Sequence, residues 1–159
     1  MSNSPQVKYV PVGEGLKYFG PGDQLTFLIT GAESGGLFFM AETLIAPGGG
    51  PPPHIHERED ETFYVLEGNP TFYAADKTIQ GAPGSFIFLP RGLKHTFKNP
   101  ANTPARMIVV STPAGIEKFF EATMEPARPG VLPPMLTPQL IGRFLAEAPK
   151  YGLQIFPPA

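Results

Sequence analysis

The sequence predicts an all-β fold: a barrel or sandwich of short strands, followed by two C-terminal helices. Three observations predict it. Short apolar runs, alternating or continuous, recur along the chain. The 18 glycines and 21 prolines fall between these runs, where they read as turns. Hydrophobic residues make up 42% of the chain, which separates this composition from Pro/Gly-rich disorder. At 159 residues the chain has the length of one domain, read as 1–159. Its barrel core spans about 24–112, and a helical extension spans about 113–159.

The expected strands are 7–10, 16–19, 24–30, 37–45, 53–57, 61–67, 71–75, 78–80, 85–89, 95–98 and 105–111. Turn signals separate them, among them Gly20-Pro21-Gly22-Asp23, Ser34-Gly35-Gly36, Asp76-Lys77 and Asn102-Thr103-Pro104. No copy of the whole unit recurs, so one barrel is expected. Thr112-Pro113 reads as a helix cap with proline in the first turn, and Ile116, Phe119, Phe120 and Met124 then follow at helical spacing. Thr137-Pro138 starts a second helix, with Leu140, Ile141, Phe144 and Leu145 on one face and Pro149 at its end. Between the helices, 125–136 is a proline-rich covering loop. Its Val131, Leu132, Met135 and Leu136 call for packing over a barrel end or against a second subunit.

Composition narrows the function classes. Net charge is -2 with no basic stripe, so nucleic-acid binding has no electrostatic support. No apolar run approaches a membrane span. Cysteine is absent, which excludes disulfides and thiolate ligands and fits a reducing, cytoplasmic location. Met1-Ser2-Asn3-Ser4-Pro5 carries neither the basic region nor the apolar core of a signal peptide.

All three histidines fall inside two spaced patterns. The first holds Gly48, His54, His56, Glu61 and Gly68; the second holds Gly84, Pro90, Gly92, His95 and Asn99. In a strand, His54 and His56 project to one face and Ile55 to the other. Glu61 lies five residues beyond His56, an odd step, so the intervening residues must turn or bulge. Arg58, Glu59 and Asp60 read as that solvated turn. His95 opens a later strand, which must fold back to reach the first group. Three imidazoles and a carboxylate are a ligand set for one divalent metal. Glu61 either completes the set or stands back as a catalytic base.

These two patterns resemble the motif pair of the cupin superfamily. The first motif there is Gly, five residues, His-x-His, three or four residues, Glu, six residues, Gly. The second is Gly, five residues, Pro-x-Gly, two residues, His, three residues, Asn. Each fixed position has its counterpart here. The wording around the first motif, and the tail from Tyr151 to Pro158, are similar to bacterial cupins grouped with quercetin 2,3-dioxygenases. The resemblance implies a double-stranded β-helix, or jelly-roll barrel, with metal ligands His54, His56, Glu61 and His95. It also implies a homodimer, which the apolar N-terminal strands would suit.

The function expected from this is a metal-dependent dioxygenase acting on a small oxygenated organic substrate, with a flavonol the first to test. The alternatives are a non-oxidative metal-dependent isomerase or lyase, and a non-catalytic metal- and metabolite-binding module. The cofactor is one divalent transition metal; iron, manganese, nickel, cobalt, copper and zinc all accept the set. The partners are the small-molecule substrate and dioxygen. Phe63, Phe97, Met40 and Phe27 are the candidate pocket residues. Phe38, Phe86 and Phe88 belong to a wider aromatic set, and Tyr64 reads as packing between layers. Arg91 and Lys94 fall near the mouth, as surface residues or as attractors of an anionic substrate. Metal occupancy is expected to fall as pH drops through about 6.5, the ordinary histidine range.

Overall fold

A computed structural model describes residues 6–157. The reading of the first five residues as lacking a leader, and Pro158 of the tail, lie outside the described residues. Twelve strands form two antiparallel sheets among the described residues. In chain order they are β1 (Leu16–Phe19), β2 (Asp23–Ile29), β3 (Phe39–Ile45), β4 (His54–His56), β5 (Asp60–Glu67), β6 (Thr71–Ala74), β7 (Lys77–Gln80), β8 (Phe86–Leu89), β9 (His95–Lys98), β10 (Ala105–Thr112), β11 (Glu125–Pro126) and β12 (Leu153–Ile155). The larger sheet runs β11-β1-β2-β3-β10-β5-β8, and the smaller runs β12-β4-β9-β6-β7. A short α1 (Gly31–Ser34) follows β2, while α2 (Glu117–Thr123) and α3 (Pro138–Glu147) follow β10.

Period-two burial builds the barrel interior. Phe39, Ala41, Thr43 and Ile45 of β3 point inward, and so do Ala105, Met107, Val109 and Ser111 of β10 and Phe63 and Val65 of β5. From the facing sheet, Phe72 and Phe97 meet Phe63 with ring centroids 5.4 and 5.5 Å apart. Burying each such side chain stabilises the fold by roughly 1.5–3 kcal/mol, which is why the alternation sets the register. The two C-terminal helices close one end of the barrel. Phe119 of α2 packs on Phe144 of α3 at 5.2 Å, and Phe120 reaches Phe39 of β3 at 6.0 Å. Arg143 donates to the Thr123 carbonyl at 3.0 Å and ties α3 to the end of α2.

Several expectations change. Residues 7–10 form no strand, and Val7 and Tyr9 are exposed. The outer edge of β1 is paired with Glu125–Pro126. Thr112 does not cap a helix: its pairing with Asp60 extends β10 through it, and α2 begins at Glu117. The second helix starts as expected, with Thr137 Oγ1 accepting the Leu140 amide at 3.2 Å, but Leu145 is exposed rather than on the packed face. In the covering loop Val131, Leu132 and Met135 are also exposed. Three residues near the C-terminus, Leu153–Ile155, form a strand with no counterpart in the sequence reading.

Candidate metal centre

The four proposed ligands come from three strands on both sheets. His54 and His56 project inward from β4, and His95 sits opposite His54 on β9. Glu61 reaches in from β5 of the other sheet. The odd five-residue step is therefore a crossing: Glu57, Arg58 and Glu59 carry the chain from one sheet to the other. Asp60 fixes the landing by holding Arg91, through its backbone amide at 2.9 Å and its guanidinium at 3.1 and 3.0 Å. Arg91 thus has a structural partner, and Lys94 lies over the Phe156 ring at 4.1 Å.

Backbone chemistry aims β4. At Gly50, φ is +142° and a Cβ would fall 2.0 Å from the Phe97 carbonyl oxygen, so only glycine lets the loop pass this close to β9. Thr96 then donates to the Pro51 carbonyl at 2.7 Å. Asn99 is fully buried and donates to the carbonyls of Ile45 and Thr103 at 3.1 and 2.7 Å. It braces the loops around the ligands and does not reach into the site.

Two of the three imidazoles are oriented through the outer nitrogen. His54 Nδ1 donates to the Pro52 carbonyl at 2.8 Å, and His95 Nδ1 to the Leu93 carbonyl at 2.9 Å. A carbonyl only accepts, so in each neutral ring Nε2 carries a lone pair. His95 Nε2 lies 3.0 Å from Glu61 Oε2, and His56 Nε2 lies 3.2 Å from the same oxygen. Two acceptors this close require a cation between them, either a proton or a metal. The four donor atoms lie within 4.8 Å of one another, and all four residues are buried. Bonds of about 2.0–2.2 Å set donors around one ion roughly 3–4.4 Å apart, so the set closes on an ion with small side-chain shifts. The residues fit a single divalent ion.

The electrostatics of the metal-free cluster follow the same geometry. Burial, and then the charges of His95 and His56, push His54 down to about 3, which keeps it neutral. His56 behaves oppositely. Burial opposes its charge, but the carboxylates of Glu61 and Glu59 overcome that and raise it to about 9. Burial likewise opposes ionisation of Glu61, yet His56 and His95 hold it well below the usual carboxylate range.

Glu59 is a correction. The charged run 57–60 reads as solvated, but Glu59 is only 3% exposed. Its Oε2 lies 3.7 Å from His56 Nδ1, and neither atom has a hydrogen-bond partner. His56 is thus the one histidine of the three that faces a carboxylate with its outer nitrogen. No local pattern marks this position, because only the sheet crossing turns it inward.

A cavity of about 70 Å³, partly open to solvent, lies against the cluster and is lined by His54, His56 and Glu61. Phe63 and Phe97 line it too. Met40 does not: strand parity turns it to the outer face, and its neighbour Phe39 takes the inward place, as counting back by twos from Ile45 would have shown. The same parity removes Phe38 from the interior. Phe27 is buried behind Phe39, with ring centroids 4.8 Å apart, and does not reach the cavity wall. Phe86, Phe88 and Tyr64 face solvent at 67%, 54% and 48% exposure, so Tyr64 packs between no layers.

Comparison with known proteins agrees with this architecture. The family model described as "Cupin domain" matches residues 41–111. Quercetin 2,3-dioxygenase of Bacillus subtilis (strain 168) is 30% identical over 122 residues, covering 76% of this chain and 36% of that protein. A germin-like protein of Arabidopsis thaliana, subfamily 2 member 5, is 39% identical over 76 residues, covering 43% of this chain and 35% of that protein. The chain thus spans about a third of the length of these two relatives. Among solved structures, a predicted oxalate decarboxylase from Thermotoga maritima superposes with a TM-score of 0.61 at 22% identity, covering 66% of this chain and 98% of that one. At that identity the likeness concerns the fold alone. Motif spacing, matched domain and two-sheet barrel agree: residues 41–111 are a cupin domain, and the barrel around them has the cupin β fold.

Proposed function

We propose that this protein is a metal-dependent dioxygenase acting on a small oxygenated organic compound. One observation carries the reading: a donor set for one divalent ion forms a wall of an otherwise mainly apolar cavity. A bound ion would supply Lewis acidity and open coordination positions. His54, His56, His95 and Glu61 would hold it. Glu61, ionised across the neutral range, is the group placed to accept a hydroxyl proton as the substrate binds. Phe39, Phe63 and Phe97 hold the apolar body of the substrate and keep water from it.

The cavity also bears on substrate size. A cavity of about 150 Å³ accommodates benzene, and this one offers about 70 Å³. A compound of a few heavy atoms fits. A three-ring flavonol enters only if the α2–α3 cover moves, so small hydroxy-carbonyl compounds come before flavonols in the assay. The absence of cysteine supports a cytoplasmic setting. The exposed Tyr64, Phe86 and Phe88, neighbours across β5 and β8, offer an apolar face for a homodimer.

The test is oxygen uptake by metal-loaded protein over a panel of such compounds, run in air and under nitrogen. Dioxygenase action consumes one dioxygen per substrate and stops under nitrogen. Turnover that persists under nitrogen would replace it with a Lewis-acid isomerase or lyase. Stoichiometric metal and ligand binding without turnover would leave a binding module.

A further inference from the structure

A second buried acid lines the same cavity, and the metal centre gives it no task. Asp23 opens β2 directly after the Gly20-Pro21-Gly22 turn and is 5% exposed. Its Oδ1 has no hydrogen-bond partner, and only its own backbone amide serves the carboxyl. The turn does not need that carboxyl. Gly20 donates its amide to the Asp23 backbone carbonyl at 2.8 Å, and Gly22 donates its own to Pro134 at 2.8 Å. Space has instead been cleared for the side chain: a Cβ at Gly20 would fall 2.2 Å from Asp23 Oδ1. The residues beside it on the wall, Pro21, Leu25 and Met124, offer no side-chain hydrogen bond.

Ser111 repeats the pattern beside the cluster. It is 1% exposed, its Oγ is unpartnered, it lines the cavity, and it pairs in register with Glu61. A buried carboxyl oxygen and a buried hydroxyl, each without a partner and both lining one cavity, are groups that a ligand can satisfy.

We propose that Asp23 is a second anchor of the substrate site. Its carboxyl hydrogen-bonds an oxygen function of the substrate while another oxygen function is held at the His54/His56/Glu61/His95 cluster. The substrate class is then a small bifunctional molecule, with two oxygen-bearing ends joined by a short apolar spacer. This rests on the reading of the cluster as a metal-centred substrate site. Burial raises the Asp23 carboxyl to about 7, so near neutrality it can donate to a carbonyl or accept from a hydroxyl.

The test uses the zinc-loaded full chain, because zinc adds no redox chemistry. Calorimetry compares ω-hydroxycarboxylates of two to five carbons with the parent alkanoates, in the wild type, Asp23→Leu and the isosteric Asp23→Asn. At one chain length the wild type is expected to bind the hydroxy acid at least tenfold more tightly than its parent. Asp23→Leu is expected to erase that preference while keeping zinc stoichiometry and alkanoate affinity. Asp23→Asn, which still offers a donor and an acceptor, keeps part of it. A wild type indifferent to the ω-hydroxyl at every length overturns the proposal, whether or not the leucine variant folds. So does a preference that survives in Asp23→Leu. Failure of the wild type to bind zinc is a different result: it removes the metal-centred reading, and this proposal falls with it.

Discussion

Metal binding to this site is expected to expel a proton from His56 at neutral pH. Without metal, His56 sits between two carboxylates, with Nε2 3.2 Å from Glu61 Oε2 and Nδ1 3.7 Å from Glu59 Oε2. Burial works against the charged ring, but the carboxylates win and raise it to about 9. The protonated ring cannot ligate, so protons compete with metal well above the ordinary histidine range. At pH 7 this competition weakens metal binding by about 100-fold, roughly 2.7 kcal/mol. Apparent affinity should climb about tenfold per pH unit from 7 towards 9 and then level off. His54, pushed down to about 3, adds nothing to this competition. Zinc calorimetry at pH 7.5, in buffers of different ionisation enthalpy, measures the protons released, and close to one per zinc is expected. An ordinary histidine at about 6.5 would release about a tenth of a proton there. Near-zero release, with affinity flat between pH 7 and 8.5, would refute the reasoning. The shift has a mirror effect on the metal-free fold. A raised histidine stabilises it fully below about 6.5, and that gain is lost as pH rises through about 9.

Three further outcomes follow from the same geometry. Above about pH 9, where His56 no longer carries a competing proton, Glu59→Gln should weaken metal binding by about 10–100-fold while leaving the fold intact, whereas at pH 7 the loss is smaller because the same change also lowers the His56 pKa; competition with a coloured chelator reads this, and affinity unchanged above about pH 9 would show that Glu59 does not orient the ring. His95→Ala should keep a β-rich circular dichroism spectrum and lose modest thermal stability, because the apolar strands carry the fold, yet lose nearly all oxygen uptake; outright unfolding would make the site structural. Asp23 should cost stability, because its pKa is raised from 3.8 to about 7: the fold is favoured below 3.8 and that advantage is lost as pH rises through 7. Asp23→Asn should therefore gain on the wild type by up to about 4 kcal/mol at pH 8 relative to acid, read as the difference in urea midpoints across pH 4–8, and a difference that does not vary with pH would count against it.

The ligand cluster was legible because its information is local. His54-Ile55-His56 needs only strand parity, and the spacing of Gly48, Gly68, Gly84 and Gly92 marks where strands begin and end. Strands β1 and β9 fall where turn residues bracket them on both sides. What was not legible depends on distant pairing or on strand phase. Leu153–Ile155 is too short to announce itself, and it is a strand only because β4 offers an edge. Phe39, not Met40, faces the cavity, and an apolar run such as Leu37-Phe38-Phe39-Met40 does not state its own phase. Glu59 and Asp23 look like loop acids, and only the closure of two sheets around them makes them interior. Charged residues are so commonly solvated that composition argues the wrong way at both positions.

The strand formed by Leu153–Ile155 has a mechanical consequence. It pairs residue for residue with β4, Leu153 with His56 and Ile155 with His54. It is joined to α3 by only the single tight turn Ala148–Tyr151 and Gly152. A Cβ at Gly152 would strike the Arg58 side chain at 2.7 Å, so that joint is also pressed against the sheet crossing. The connection has no slack. The helix that roofs the cavity is thereby tied through Gly152 to the strand that holds the edge of β4, where two of the histidines sit. Lifting that roof to admit a larger guest is expected to disturb the two rings, whereas a guest small enough to leave it closed leaves them in register.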